Sequence, residues 1–179
     1  MKIFVDLDET LIHSIVVKNS NNHNRTYVKF TDRMYGIIKR RSAPLLLELI
    51  REIDPDPIMI TTADYEWAHY CNTEFGFNFN TVYSRDDFTC VKSDNPYARS
   101  IVDWNEKSLG LDDAVIIDNY PWSLPSPEHK MMFVFGKVDQ HRWFRINEYN
   151  GHISKDFVKT DELHIRTLMN RVKLLSETI

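Results

Sequence analysis

Ile3-Phe4-Val5-Asp6-Leu7-Asp8-Glu9-Thr10-Leu11 (IFVDLDETL) opens the chain with three apolar residues that run straight into a cluster of carboxylates. A short apolar run bounded by polar residues reads as a strand. If it belongs to a parallel α/β sheet, Asp6 and Asp8 stand at its carboxyl end, where such sheets bind their ligands. The apolar run before Asp6 is only Ile3, Phe4 and Val5, far short of a signal-peptide core, and no run of about 18 apolar residues follows. The expectation is an intracellular, soluble, cytoplasmic or nuclear chain with no membrane partner.

Working outward, strand and helix signals alternate. Ala43 to Ile53 has helical spacing and stops at Asp54-Pro55-Asp56-Pro57. Ile58 to Thr61 predicts a strand, Asp64 to Phe75 a helix and Thr81 to Ser84 a short strand. Asn95 to Leu109 predicts a helix, with Pro96 in its first turn and Gly110 at its end. Ala114 to Ile117 and Met132 to Phe135 predict strands. The last helix is expected from about Asp161 to Glu177, with Ile165, Leu168, Met169, Val172 and Leu175 as a docking stripe. This alternation implies an α/β fold, a central parallel sheet with helices on both faces in a three-layer, Rossmann-like arrangement. Residues 13–41 interrupt it. Ile15 to Val17 and Thr26 to Phe30 flank the polar loop Lys18 to Arg25 and predict a small β-hairpin flap, to which Tyr35 to Ile38 adds a strand. No interval after either Thr10 or Thr62 is long enough for a large cap domain.

The chain has 179 residues, suited to one domain spanning 1–179, with residues from about 137 as a C-terminal extension. Hydrophobic residues at 42% and charged residues at 27% exclude a disordered chain. The net charge of −4 calls for no nucleic-acid or membrane partner, but it is unevenly spread. Between Lys18 and Arg41, seven basic side chains face the single acid Asp32, a local +6 that leaves −10 for the rest. That stretch is either a solvated loop or a surface for an anionic substrate, with Lys39, Arg40 and Arg41 as its candidate residues. Cys71 and Cys90 lie in no CxxC or Cys/His cluster, so reduced thiols are expected and zinc is not. The histidines show no ligand spacing, and Trp67, Trp104, Trp122 and Trp143 read as core or rim. Nothing in the sequence speaks to oligomeric state.

Four polar sites fall at or beside the expected strand ends: Asp6-Leu7-Asp8-Glu9-Thr10, Thr61-Thr62, Lys92 and Asp118-Asn119. Their chemistry is coherent. Carboxylate and amide oxygens suit a hard cation such as Mg²⁺. A carboxylate can attack phosphorus, and a second one two residues on can serve as acid and then base. A threonine hydroxyl and a lysine ammonium can hold phosphoryl oxygens. Taken singly, each has an ordinary explanation: a capped turn, a strand-end hydroxyl, a surface lysine, a turn before Pro121. Their occurrence in order at successive strand ends argues against coincidence.

These residues carry a resemblance. Asp6-Leu7-Asp8-Glu9-Thr10-Leu11-Ile12-His13-Ser14 closely resembles the opening motif of the FCP/SCP phosphatase branch (the NLI-interacting-factor-like branch) of the haloacid dehalogenase (HAD) superfamily. Thr61-Thr62-Ala63-Asp64, Ile116 to Pro121 and Tyr35 to Pro44 resemble three further segments of that branch, so the likeness covers roughly residues 2–135. The resemblance implies a Mg²⁺-dependent phosphomonoesterase acting through an aspartyl-phosphate on a phosphorylated macromolecule, by preference a phosphoprotein. It implies Asp6 as nucleophile and metal ligand, and Asp8 as acid–base with its carbonyl on the metal. Thr10 would support their turn, Thr62 would bind phosphate, and Asp118 and Asn119 would complete the metal site. For the lysine, the close relatives point to Lys107, while the wider superfamily spacing points to Lys92, which is preferred. Arg41-Ser42 replaces the branch's Arg-Pro, which leaves the start of the following helix open. A phosphatase for nucleic-acid ends or nucleotides, and a non-catalytic binding module on the same fold, are the competing readings. The sequence signature of the last, loss of Asp6, Asp8 or the Asp-Asn pair, is not seen.

Overall fold

The computed structural model describes residues 1–18, 24–61, 63–87, 90–91, 101–103, 114–119, 132–134 and 143–178. In chain order the elements are β1 (Lys2–Asp6), β2 (Ile12–Val16), β3 (Thr26–Phe30), β4 (Arg33–Lys39), α1 (Ala43–Ile53), β5 (Ile58–Ile60), α2 (Tyr65–Glu74) and β6 (Thr81–Tyr83). After a 3₁₀ turn at Arg85–Asp87 come β7 (Cys90–Val91), β8 (Ile101–Asp103), β9 (Ala114–Asp118), β10 (Met132–Val134), β11 (Trp143–Arg145) and α3 (Lys155–Ser176).

The central sheet has the order β11-β9-β1-β5-β6 and every pairing in it is parallel. Its middle strands are buried throughout: Ile3, Phe4 and Val5 in β1, and Ala114 to Ile117 in β9. Strands covered on both faces need such continuous apolar runs. On α1, Ala43, Leu46, Leu47 and Ile50 face inward. On α3, Ile165, Leu168, Met169 and Val172 form the expected docking stripe, packed against α1. Helix α3 starts six residues earlier than expected, because the Ser154 hydroxyl accepts the Phe157 N–H and caps it. The mixed α/β architecture with its central parallel sheet matches the expectation.

Two local expectations are corrected. The run Ile15–Val17 does not pair with Thr26–Phe30. Instead β4 lies between β2 and β3, antiparallel to both. The hairpin is β3–β4, closed by Thr31-Asp32 with Thr31 at φ 56°. Closing two residues costs less entropy than closing the polar loop at residues 18–25. In addition, Ile101–Asp103, placed in a helix by the sequence, forms β8, which pairs with β7 and β10 in a separate three-stranded sheet. The β-branched pair Ile101-Val102 favours a strand over a helix once partners are available. Accordingly β10 joins β8 rather than the central sheet. The remainder of the expected helix at Asn95–Leu109 lies outside the described residues.

The C-terminal segment packs on the sheet edge. Strand β11 extends the sheet beside β9, and Phe144, Ile146 and Tyr149 are buried. The open start of α1 is also settled: the helix begins at Ala43, and its N-cap Ser42 makes no side-chain cap. The Ser42 hydroxyl donates instead to Asp161 of α3.

Candidate active site

Parallel register brings the strand ends to one line. Val5 is opposite Ile117 on β9, so Asp6 stands beside Asp118, and Asp6 is opposite Ile60 on β5, just before Thr61. The chain then turns sharply. Leu7 O accepts from Leu11 N at 2.8 Å and Ile12 N at 3.2 Å, and Leu7 and Leu11 are fully buried anchors. Glu9 occupies the turn at φ 58°, a left-handed conformation uncommon for a residue with a side chain. Through this turn Asp6, Asp8 and Thr10 share one end of the sheet.

The Asp6 carboxylate is 8% exposed and accepts from the Leu7 N–H and the Thr10 hydroxyl. Burial first, then the charges of Asp118 and Asp8, hold its pKa well above the usual carboxylate range. Burial also raises Asp8, to about 6, against hydrogen bonds from the Trp67 and Thr61 side chains that favour its ionised form. Thr61 Oγ1 lies 3.4 Å from Asp8 Oδ2, and Thr10 Oγ1 lies 3.5 Å from Asn119 Oδ1. Thr10 is fully buried, so its side chain serves the turn rather than solvent.

These donors fit Mg²⁺. The Asp6 and Asp118 carboxylates, the Asn119 amide and a backbone carbonyl at Asp8 would all offer it oxygen donors. Among the described residues, no three His, Cys, Asp or Glu side chains form a metal cluster by themselves. Mg²⁺ is commonly held by one or two carboxylates and several retained waters. The charges of Asp118 and Asp8, which add to burial in raising Asp6, would favour a cation here.

Of the residues expected from sequence, the structure brings together Asp6, Asp8, Thr10, Asp118 and Asn119. Thr62 and Lys92, together with the alternative Lys107, lie outside the described residues. The trio Lys39, Arg40 and Arg41 is corrected in part. Arg40 has no exposed surface; it is paired with Asp161 and donates to Thr10 O, so it cannot line a substrate surface. Lys39 donates to Phe75 O at 2.6 Å, at the end of α2. Trp67, which serves Asp8, lies in the first turn of that helix, roughly 12 Å away along its axis at 1.5 Å per residue. Only Arg41 of the three is exposed.

Sequence reasoning missed Trp67 as a site residue. It lies in the first turn after Asp64, whose carboxylate caps α2 by accepting the Trp67 N–H. Phe30 and Tyr35 of the flap pack on its ring at 5.5 and 5.0 Å, so the flap steadies the residue that reaches Asp8. A helix cap three residues before a tryptophan was the available signal.

Residues 1–135 match the model of the NLI interacting factor-like phosphatases. The chain belongs to that family. It is 34% identical over 142 residues to nuclear envelope morphology protein 1 of Saccharomyces cerevisiae, covering 68% of this chain and 31% of that protein. It therefore spans about a third of that relative's length. Its fold is similar to that of the fission yeast RNA polymerase II CTD phosphatase Fcp1 in a variant bound to beryllium fluoride. The TM-score is 0.52 at 16% identity, over 93% of this chain and 50% of that one. A second structure of Fcp1, described as an essential RNA polymerase II CTD phosphatase, gives 0.54 at 16% identity, over 93% and 48%. At that identity the likeness establishes the fold alone, and no residue role is carried over from it. Among the described residues, no helix is long and apolar enough to cross a membrane.

Proposed function

We propose that the chain is a Mg²⁺-dependent phosphomonoesterase that forms an aspartyl-phosphate on Asp6 and acts on a phosphorylated macromolecule. The observation that carries this reading is the buried Asp6 carboxylate and the half-buried Asp8 carboxylate two residues on, beside Asp118-Asn119 at the carboxyl ends of β1 and β9. An Asp6 oxygen attacks phosphorus and the bond from phosphorus to the ester oxygen breaks. Protonated Asp8 donates its proton to the leaving oxygen. Asp8, now a carboxylate, takes a proton from water, and that water attacks phosphorus to release inorganic phosphate and free Asp6. Bound Mg²⁺ supplies positive charge against the phosphoryl oxygens and the crowded carboxylates. Hydrolysis of a generic aryl phosphate with Mg²⁺, and its loss on chelation, tests the proposal. Turnover that survives complete chelation would sink it.

A general acid with a pKa of about 6 sets the pH dependence. Asp8 must be protonated to serve the leaving group, so kcat/KM should fall as pH rises above about 6, approaching tenfold per unit. Trp67→Phe removes a hydrogen bond to the ionised form, which raises the Asp8 pKa. The falling limb should therefore move upward by roughly one unit, the worth of one hydrogen bond to a charged group at about 1.4 kcal/mol per unit. A limb that stays put would exclude Asp8 as its source.

Thr62 is proposed to bind a phosphoryl oxygen, and Lys92 to offset its charge. Lys92→Ala should cost about 2.7–4 kcal/mol in transition-state stabilisation, the scale of one oxyanion donor, while Lys107→Ala should stay near wild type. The opposite outcome assigns the role to Lys107. For the substrate, a phosphoprotein is favoured over a nucleic acid. Lys18, Lys29, Arg33 and Arg41 are exposed, on or beside the flap, and suit steering of an anionic macromolecule.

A further inference from the structure

We propose that the C-terminal segment from Trp143 onward is part of the catalytic apparatus, with Arg40, Asp161 and Arg145 as positioning residues for the two turns that carry Asp8 and Asn119. The inference rests on the phosphatase reading above and deepens it. The family match ends at residue 135, so Asp161 and Arg145 both come from outside it.

The observation is where the hydrogen bonds of this segment go. Four consecutive or paired carbonyls of the two turns each receive a donor. Glu9 O accepts the Tyr149 N–H at 2.8 Å, and Thr10 O accepts Arg40 Nη1 at 2.9 Å. Asp118 O accepts the Ile146 N–H at 2.9 Å, and Asn119 O accepts Arg145 Nε at 3.2 Å. Thus the turn after β1 and the turn after β9 are both tied to residues 143–149 or, through Arg40, to α3.

Arg40 is built for this task. Its Nε donates to Asp161 Oδ2 at 2.8 Å and its Nη2 to Asp161 Oδ1, which leaves Nη1 aimed at Thr10 O. Arg40 and Asp161 are 0% and 3% exposed, the Ser42 hydroxyl also donates to Asp161, and the Tyr149 ring lies 5.6 Å from the guanidinium. A two-pronged pairing fixes the plane of the guanidinium, so the third donor arrives in a defined direction. Lysine, a point charge on a flexible stem, cannot reproduce that. Glu9 has the left-handed φ, and its carbonyl and the next are the two held by Tyr149 and Arg40. Surrounding contacts must enforce such a conformation. The same turn sets where the Asp8 carboxyl stands.

The test uses the full chain with Asp161→Asn and Arg145→Ala. Amide hydrogen exchange and aryl phosphate kinetics are read at a temperature where circular dichroism shows each variant folded. Asp161→Asn should lower kcat by roughly 10- to 100-fold with KM nearly unchanged, the scale of a misplaced reacting group. It should also speed exchange at the Glu9, Leu11 and Ile12 amides more than at the Val115–Ile117 amides. Equal acceleration at both places, or wild-type kcat in the folded variant, would mean a purely structural ion pair and overturn the proposal. Should Asp161→Asn not fold, Arg145→Ala decides, because its side chain is exposed. A fall in kcat of about threefold or more supports positioning, and an unchanged kcat overturns it. An inactive wild type would defeat the phosphatase reading instead, and the exchange pattern alone would then judge the clamp.

Discussion

Asp6→Asn is expected to lose at least about 10⁴-fold in kcat, the scale seen when a covalent nucleophile is removed, while the variant folds and melts at a higher temperature than the wild type without Mg²⁺. Both effects have one origin. Asp6 is buried beside Asp118 and Asp8, and its pKa is raised by burial first and by those charges next. A raised carboxylate pKa means that the ionised form is held less well in the folded state than in the unfolded one. The resulting penalty is absent below the ordinary carboxylate pKa, grows as pH rises through the interval up to the folded pKa, and is complete above it. At neutral pH the wild type carries the penalty and the amide does not. Mg²⁺ should narrow the stability gap by favouring the ionised wild type. Kinetics of an aryl phosphate and thermal melts with and without Mg²⁺ measure both parts. Ordinary turnover by Asp6→Asn would refute covalent catalysis, and a lower melting temperature would refute the electrostatic account.

Asp161→Ala is expected to destabilise the fold by about 3–5 kcal/mol, because it leaves the Arg40 guanidinium charged, buried and without its carboxylate. For a chain of this length that corresponds to roughly 10 °C in melting temperature. Arg40→Ala should be comparably costly, since the Asp161 carboxylate then keeps only the Ser42 hydroxyl among the donors found on it. The double variant Arg40→Met with Asp161→Leu should recover most of the stability, as apolar replacements of buried ion pairs do. It should not recover full kcat, because Thr10 O still lacks its donor. Urea unfolding of the three variants measures the first two claims. A loss under about 1 kcal/mol for Asp161→Ala would place the pair on the scale of a surface ion pair.

Four of the five segments that build the central sheet, β1, β5, β6 and β9, were legible because their signals are local. Ile3-Phe4-Val5 and Ala114 to Ile117 are apolar runs, and Asp54-Pro55-Asp56-Pro57 stops a helix wherever it occurs. That Asp6, Asp8, Thr10, Asp118 and Asn119 share one end of the sheet was legible for a related reason. Each ends a strand or follows one within a few residues, and parallel strands carry such residues to the same end of the sheet. The order of the flap strands was not legible, since β2 and β3 are both able to pair with a neighbour and only the two-residue turn at Thr31-Asp32 decides which does. Strand β8 was missed because Ile101-Val102-Asp103 fits helical spacing as well as a strand, and the partner segments decide.

Arg40 shows the boundary most clearly. In the sequence it is one of seven basic residues between Lys18 and Arg41, chemically indistinguishable from Arg41 beside it. In the fold it is the most deeply buried charge among the described residues, and its neighbour is exposed. Its partner Asp161 lies 121 residues away on a helix whose docking stripe, but not whose single acid among the buried residues, could be read from spacing. Sequence by itself determined which chemistry stands at the ends of β1 and β9, because strand, turn and carboxylate are adjacent in the chain. Only the tertiary structure decided which charges meet water and which hold the turn after β1, because burial depends on elements far apart in sequence and on the free energy of removing each charge from solvent.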